Sequence, residues 1–309
     1  MKSFQREEGL SEVIGFILLV GLLVVFLALY QTYSVPVQGR DNEIDHMNDV
    51  KDTLVAYKIS LDSLWVNERK GTTLSTTLDL GTRGGFSQGG MGDIALLTPI
   101  SSGGSVGIYQ RTNERIIVTG KKKGGQYIPR LDYNPGLLEF KSSNNYWIDQ
   151  TYYYQLGGVF LEQDSGSTVR VMPPLTIESF GDGALAQIDF TIIGLNDKHF
   201  VSGTGPVRID TNLNHDGLPH LPEYNYLEME NITITFHSDN HNSVLMWKKL
   251  FEDSLVDKSF PDGQCTVTQN PDKEVSLNIV SDPPNFRVDA NIIQANYTAK
   301  LQTVATKIT

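Results

Sequence analysis

The chain has 309 residues, with 25 Lys and Arg against 36 Asp and Glu, and its formal net charge at pH 7 is −11. This acidic balance argues against a nucleic-acid-binding surface, because binding to phosphates requires a basic face that displaces counterions. The one cysteine, Cys265, excludes an intramolecular disulfide and with it the small secreted domains that disulfides hold together, so we expect a structural thiol there.

The first predicted element is an apolar helix near the N-terminus. Val13 to Tyr30 is a run of 18 residues without a charge, which as a helix spans about 27 Å, close to the thickness of a bilayer core. The run is longer than the apolar part of a secretory signal, and the following QTYSVPVQGR is a poor cleavage site. Because Lys2 and Arg6 precede the run and the next basic residue is Arg40, we expect a single-pass protein of the cell membrane with a cytoplasmic N-terminus and an extracellular head.

A second helical pattern follows Pro36, which is expected to kink or break the helix. From about Asp41 to Asn67, one apolar stripe runs along an otherwise polar helix. Such a stripe packs either on the protein's own core or against neighbouring copies, and both interpretations stay open. Its members are Ile44, Met47, Val50, Leu54, Tyr57, Leu61 and Leu64.

From Thr72 onward the pattern favours strands. At least eight short β-branched or aromatic segments, such as AQIDFTIIG and NITITFHS, are separated by turn residues. NSVLMWKKLFEDSLV predicts one further helix, and the cluster YWIDQTYYYQ suits either interstrand packing or glycan stacking. The sequence therefore predicts an α+β protein, with a long kinked N-terminal helix followed by a mainly antiparallel, β-sandwich-like head domain.

The N-terminal residues carry a resemblance to a known family. REEG followed at once by LSEVIGFILLVGLLVVFLALY resembles the class III signal peptide of archaeal type IV pilin-like proteins, the superfamily that includes archaeal flagellins. The resemblance implies that a prepilin-type peptidase cuts between Gly9 and Leu10 and leaves the apolar helix on the mature protein. The implied organisation is a leader (1–9), a transmembrane and assembly helix (10–35), an amphipathic helical stalk (36–70) and an extracellular β-rich head (71–309).

The function implied by this resemblance is that of a pilin-like structural or adhesive cell-surface protein, such as a minor pilus subunit. Its partners would be the membrane, the peptidase, and itself or other pilin-like subunits in a surface filament. The alternative is a single-pass, membrane-anchored extracellular binding module that does not polymerise. No GxSxG, HExxH, CxxC or phosphate-loop pattern occurs in the sequence, so an enzyme is not predicted.

Glu12 is the candidate assembly residue. A carboxylate in an apolar helix bundle is costly unless it is paired, and the new amino terminus of a neighbouring copy could neutralise it. The alternative is an interfacial carboxylate at the start of a membrane helix, where the helix dipole favours a negative charge.

The segment DTNLNHDGLPHLPE carries a candidate calcium loop. Asn212, Asn214 and Asp216 take positions one, three and five, a glycine takes position six, Leu218 offers its backbone carbonyl at seven, and Glu223 closes the loop at twelve. This order resembles the calcium loops of EF-hands and related extracellular repeats, in which oxygen ligands have this spacing, and the bound calcium would be structural. The alternative is a turn-rich loop that needs no metal.

The remaining candidates are surface features. Asn231-Ile232-Thr233 and Asn296-Tyr297-Thr298 are glycosylation sequons, usable if they reach an extracellular surface. His237 and His241 are interpreted as solvated polar residues because their spacing on a strand does not bring the rings together. The basic segment KKKGG is expected at the tip of a hairpin.

Overall fold

The computed structural model of the protein describes residues 4–82, 97–181, 183–214, 223–256, 258–270, 273–282 and 285–303, with the side chains of all of these except residues 4–11 and 223. This part contains two helices, α1 (Phe4–Val66) and α2 (His241–Leu255), and 16 strands. The strands are β1 (Thr73–Asp79), β2 (Gly103–Gln110), β3 (Arg115–Lys122), β4 (Leu131–Tyr133), β5 (Gly136–Ser143), β6 (Thr151–Gln155), β7 (Gly158–Gln163), β8 (Gly166–Val171), β9 (Leu175–Phe180), β10 (Leu185–Asn196), β11 (His199–Gly203), β12 (Pro206–Leu213), β13 (Glu223–His237), β14 (Cys265–Asn270), β15 (Glu274–Val280) and β16 (Arg287–Thr303).

The strands form two sheets. The larger sheet has ten strands in the order β1-β12-β16-β13-β15-β14, with β10 and β9 extending from β16, and β3 and β4 extending from β13. The smaller sheet has six strands, β11-β2-β5-β6-β7-β8, paired antiparallel. Among the described strands only β10 and β16 pair in parallel. The predicted fold class, a long N-terminal helix followed by a mostly antiparallel sandwich-like head, is confirmed.

The central strands of the smaller sheet are buried on both faces, and strand β6 shows why. Side chains alternate along a strand, so Tyr152 and Tyr154 enter one core while Tyr153 enters the other. We call these the helix-side core, which contains α1, and the α2-side core. All three tyrosines are buried, so interstrand packing is the right interpretation for them and glycan stacking is wrong. Trp147, from the same predicted cluster, stays exposed.

The apolar stripe of α1 belongs to the helix-side core. Its members from Met47 to Leu64 are buried there, and Ile44 is half-buried. The Tyr57 hydroxyl lies 2.8 Å from Oγ1 of Thr211, and the Tyr297 hydroxyl donates to the carbonyl of Leu61 at 2.7 Å. The stripe therefore packs on the protein's own head, and packing against neighbouring copies is wrong for this part of the helix.

The helix does not break at Pro36. A single helix runs from Phe4 to Val66 with Pro36 inside it, although proline removes one backbone hydrogen bond from the ladder. Pro36 itself is exposed, whereas Val35 and Gly39 beside it are buried against the head. Packing of these neighbours supports the helix where the local hydrogen bond is lost, which single-residue propensity does not capture.

The second predicted helix is confirmed as α2. The side chain of Asn240 caps it by accepting hydrogen bonds from the backbone N–H groups of Asn242 and Ser243, as expected for an asparagine at this position. Its apolar face buries Trp247, which stacks on Phe236 with ring centroids 4.7 Å apart. The helix thus closes the α2-side core of the head.

Candidate functional site

The most distinctive surface of the molecule is the N-terminal part of α1, residues 12–34, which we call the exposed helix. Apart from three half-buried positions, its described side chains are exposed all the way round, and its large apolar residues have between 42% and 71% of their surface open. It contains an 18-residue window with a mean hydropathy of 3.0, of which 0% is buried. By length and composition, this helix can cross a membrane.

Polar groups in the exposed helix lie near its ends. Glu12 is exposed at the described N-terminal end, and the next charged residue along the chain is Arg40. At the other end, Oγ1 of Thr32 donates to the carbonyl of Ala28 at 2.7 Å, so its hydroxyl is satisfied within the helix. The middle of the helix is therefore apolar without interruption.

The exposed helix ends where α1 meets the head, at Val35, Gly39 and Glu43, which share one helix face. Glu43 is 1% exposed, and its carboxylate accepts hydrogen bonds from the backbone N–H groups of Asn145 at 2.6 Å and Tyr146 at 2.9 Å. These charge-assisted bonds satisfy two loop donors and compensate for the burial of the charge. They attach the loop 144–149, between β5 and β6, to the helix.

Gly39 allows the same loop to approach the helix backbone closely. A Cβ at this position would lie 2.6 Å from Cε2 and 2.7 Å from Cγ of Tyr146, inside van der Waals contact. The Tyr146 hydroxyl in turn accepts from the backbone N–H of Ile100 at 3.1 Å. We use the name junction for helix residues 35–43 together with the segments 99–101 and 144–149.

The predicted processing residues lie at the start of α1. Gly9 and Leu10 are within its helical backbone, and their side chains are outside the described set. Glu12, three residues after the predicted cut, is exposed. The cut itself stays a prediction.

The candidate calcium loop is only partly described. Asn212 lies within β12, paired with β1 and β16. Oδ1 of Asn214 accepts a hydrogen bond from Oγ1 of Thr298 at 2.6 Å, so this oxygen already has a protein partner. Asp216 and Leu218 lie outside the described residues, and Glu223 begins β13 with its side chain undescribed. In the described part of the chain no group of three or more His, Cys, Asp or Glu could hold a metal ion, and the calcium site stays a prediction.

Both sequon asparagines lie within strands. Asn231 is half-buried in β13, between β3 and β15. Asn296 is half-buried in β16, and its Oδ1 accepts from the Tyr133 hydroxyl at 2.8 Å. Tyr133 reaches it across Gly194, where a Cβ would collide with this hydroxyl. Glycosylation at either site remains a prediction.

A half-buried charge cluster lies between the smaller sheet and α2. Nη2 of Arg111 pairs with Glu139 at 2.8 Å and Glu162 at 3.1 Å, and the guanidinium lies 4.7 Å from the ring centroid of Tyr153. Glu162 also accepts from Nδ2 of Asn240 at 2.7 Å. The cluster therefore joins the sheet to the N-terminal cap of α2. Sequence patterns missed it because its members come from distant segments.

Glu114 is the most deeply buried charged residue of this cluster. It is buried, and it accepts hydrogen bonds from Nε2 of Gln155 at 2.7 Å and from Oγ of Ser238 at 3.2 Å. Burial raises the pKa of Glu114, while Arg111 and these hydrogen bonds offset part of the rise. Its partners are side chains of the fold, which is why we interpret the cluster as structural.

The structure also gives the contacts of the histidine pair, the KKKGG segment and Cys265. Nδ1 of His237 lies 3.0 Å from Glu274, and His241 begins α2 in an exposed position. The KKKGG segment comprises the last two residues of β3 and the turn that follows, and Lys121 pairs with Glu230 at 3.1 Å. Cys265 is half-buried in β14, and burial raises the pKa of its thiol to about 11, which suits a structural thiol.

No protein-family model, no curated protein and no solved structure matches the chain. Its function is therefore inferred from its own residues and their geometry.

Proposed function

We propose that the protein is a pilin-like structural or adhesive protein of the cell surface, anchored through its N-terminal helix and assembled through it as a minor pilus subunit. One observation carries this proposal: the exposed helix leaves a long apolar surface uncovered on all sides. An apolar surface of this size is unfavourable in water, so we expect lipid or other helices to cover it. Storage in the bilayer followed by burial in a filament core supplies both kinds of cover.

The order of residues around the exposed helix supports the pilin-like route. REEG precedes LSEVIG, so cleavage between Gly9 and Leu10 by a prepilin-type peptidase would leave the apolar segment intact. The positive-inside rule, applied to Lys2 and Arg6, then puts the N-terminus in the cytoplasm and the head outside. Under this proposal the membrane, the peptidase and other pilin-like subunits are the partners.

A permanent anchor that never polymerises is the second candidate, and one observation favours it. The apolar stripe from Met47 to Leu64 is buried in the protein's own head, so it is not available to neighbouring subunits. Assembly would depend on the exposed helix alone, and lipid covers that segment equally well. The protein would then be an extracellular binding module on a single-pass anchor.

The mass of the mature protein separates processing from simple anchoring. Loss of residues 1–9, leaving Leu10 first, is the expected result, and a Gly9→Val variant should remain uncut. Gly15→Val is the matched control, because a Cβ at Gly15 meets no atom within 4 Å and the residue lies beyond the cut. An unprocessed wild-type chain would favour the permanent anchor, and a cut beyond Tyr30 would contradict both candidates.

The content of purified surface filaments separates a subunit from an anchor. If Glu12 pairs with a neighbour's amino terminus, Glu12→Gln should lower the amount of the chain in filaments and leave its amount in membranes unchanged. Asp45→Asn is the control, since Asp45 is an exposed acid on the same helix beyond the junction. Absence of the wild-type chain from filaments would reject the subunit role.

A further inference from the structure

The head presents a small apolar patch beside the point where the exposed helix leaves it. Ile100 is 71% exposed, Ile148 is 54% exposed and Trp147 is 37% exposed. The two segments that carry them are joined by hydrogen bonds, from the N–H of Ile100 to the Tyr146 hydroxyl and from Nδ2 of Asn145 to the carbonyl of Ser101 at 3.2 Å. The three exposed residues therefore lie on two adjoining segments of the head, and we call them the junction patch.

We propose that the junction patch is a second membrane contact, which lies in the headgroup layer of the same bilayer that holds the exposed helix. This inference rests on the proposed anchoring, and it adds a contact between the head and lipid that anchoring by itself does not require. The occupant is the phospholipid headgroup layer, next to the carbonyl ends of the acyl chains.

The height of the patch along the helix axis is fixed by the junction. Glu43 accepts from the loop that carries Trp147, and Gly39 lies against the Tyr146 ring of the same loop. The guanidinium carbon of Arg40 lies 5.9 Å from the centroid of the Trp147 ring. The loop is therefore held next to helix residues 39–43 and cannot move along the helix without breaking these contacts.

This height matches the headgroup layer of a bilayer. Glu12 and Arg40 are the charges that flank the uncharged run, and 28 residues or about 42 Å of helix separate them at 1.5 Å per residue. A bilayer with both headgroup layers is about 40–45 Å thick, so with Glu12 at one surface Arg40 reaches the other. The Arg40 side chain tilts toward the N-terminus and therefore toward the lipid, and its guanidinium carbon is 5.9 Å from the centroid of the Trp147 ring. Trp147 is therefore level with the headgroup layer.

The chemistry of the patch suits this layer. Tryptophan is enriched at membrane interfaces because its ring is apolar and its N–H is a donor. Arg40, which is half-exposed above the ring, can contact lipid phosphate with its guanidinium. Tyr30 and Tyr33 lie about two to three turns below Arg40 on the helix, near the boundary with the acyl chains. A bilayer therefore provides a suitable environment for both the apolar and the charged members of the patch.

Fluorescence quenching by brominated lipid tests the contact. The full chain is placed in phosphatidylcholine vesicles that carry bromine near the carbonyl end of the acyl chains, and its tryptophan emission is compared with that in unbrominated vesicles. We expect quenching that disappears in Trp147→Phe. Trp65→Phe is the matched control and should retain the quenching, because Trp65 lies about 38 Å farther along the helix than Arg40 at 1.5 Å per residue. Trp247 is buried in the α2-side core and unchanged in all three chains.

The outcomes separate this inference from the proposed anchoring. If the chain floats with the vesicles but Trp147→Phe changes no quenching, the junction patch does not touch lipid, and the proposal is overturned while anchoring stands. If the wild-type chain does not float with vesicles, anchoring fails and the patch proposal fails with it. If the emission shows that Trp147 becomes shielded from water as the protein-to-lipid ratio rises, and bromine has no effect on it, a second copy of the chain covers the patch in place of lipid. That result also overturns the proposal.

Discussion

Replacing Gly39 with alanine tests whether the junction is as tight as its geometry indicates. In an ordinary helix interior this change stabilises a protein by about 1 kcal/mol, because glycine loses more backbone entropy than alanine. At Gly39 the new methyl group would lie 2.6 Å from Cε2 of Tyr146, where real Cβ atoms essentially never approach below 3.0 Å. Tyr146 must then move, although its backbone N–H is bonded to Glu43 and its hydroxyl to Ile100.

The expected effect follows from three magnitudes. Overpacking a well-filled site costs about 1–3 kcal/mol, and a lost hydrogen bond costs about 1 kcal/mol more. Subtracting the gain in helix propensity, which is about 1 kcal/mol, leaves a net decrease of about 1–3 kcal/mol in the free energy of unfolding. The measurement is denaturant unfolding of the full chain in detergent, followed by tryptophan fluorescence.

Two variants control this experiment. Gly21→Ala, on the same helix with no atom within 4 Å of the new Cβ, should cause no loss. In a Tyr146→Ala background the ring is gone, so Gly39→Ala should change from destabilising to neutral or stabilising. Such a change of sign is a direct measure of coupling between the two positions. If Gly39→Ala stabilises the unaltered protein as Gly21→Ala does, the close approach of the loop to the helix is refuted.

Three other predictions concern the head. Leu54→Ala should lower the free energy of unfolding by about 2–5 kcal/mol, because Leu54 is buried in the helix-side core. Ile59→Ala, at an exposed position of the same helix, should change it by less than about 0.5 kcal/mol. Equal losses in the two variants would show that the apolar stripe of α1 does not pack on the head. Burial raises the pKa of Glu114 above the ordinary 4.5, so its contribution to stability is present below pH 4.5 and is lost as the pH rises through the folded-state pKa. As the pH rises through this range, the free energy of unfolding of Glu114→Gln should therefore increase relative to that of the wild-type chain. A difference between the two chains that does not change with pH would contradict the burial effect. Burial also raises the pKa of Cys265 from 9.0 to about 11, so at pH 8 its alkylation should be about a hundredfold slower in the folded chain than in the unfolded chain; similar rates, read by mass spectrometry, would show an open thiol.

The helices and many strands could be predicted because their signals are local. The stripe around Leu54 and Tyr57 has helical spacing, and the apolar face around Trp247 does too. Both are buried in the head. The continuity of α1 through Pro36 could not be predicted, because it depends on packing such as that of Gly39 against Tyr146, which is 107 residues away in sequence. The two-sided burial of β6 also depends on which elements cover each sheet face.

The junction and the charge cluster were missed for the same reason. Glu43 looks like one more acid on a polar helix, and only the folded chain shows that it accepts from Asn145 and Tyr146. Arg111 and Glu162 are separated by 51 residues and carry no spacing signal. The exposed helix, by contrast, could be located from composition alone, because an uninterrupted apolar run is a local property of the sequence.

The bond between Tyr297 and Leu61 joins α1 to β16, the last strand of the described residues, across 236 residues of sequence. At about 5–20 residues per second, ribosomes need roughly 10–50 s to make that intervening length. The helix-side core cannot close during this time, because β12 and β16 also contribute to it. If the helix is anchored as proposed, it reaches the membrane well before its head folds. The head would then cross as an unfolded chain, and its folding would begin on the far side with the helix already in place.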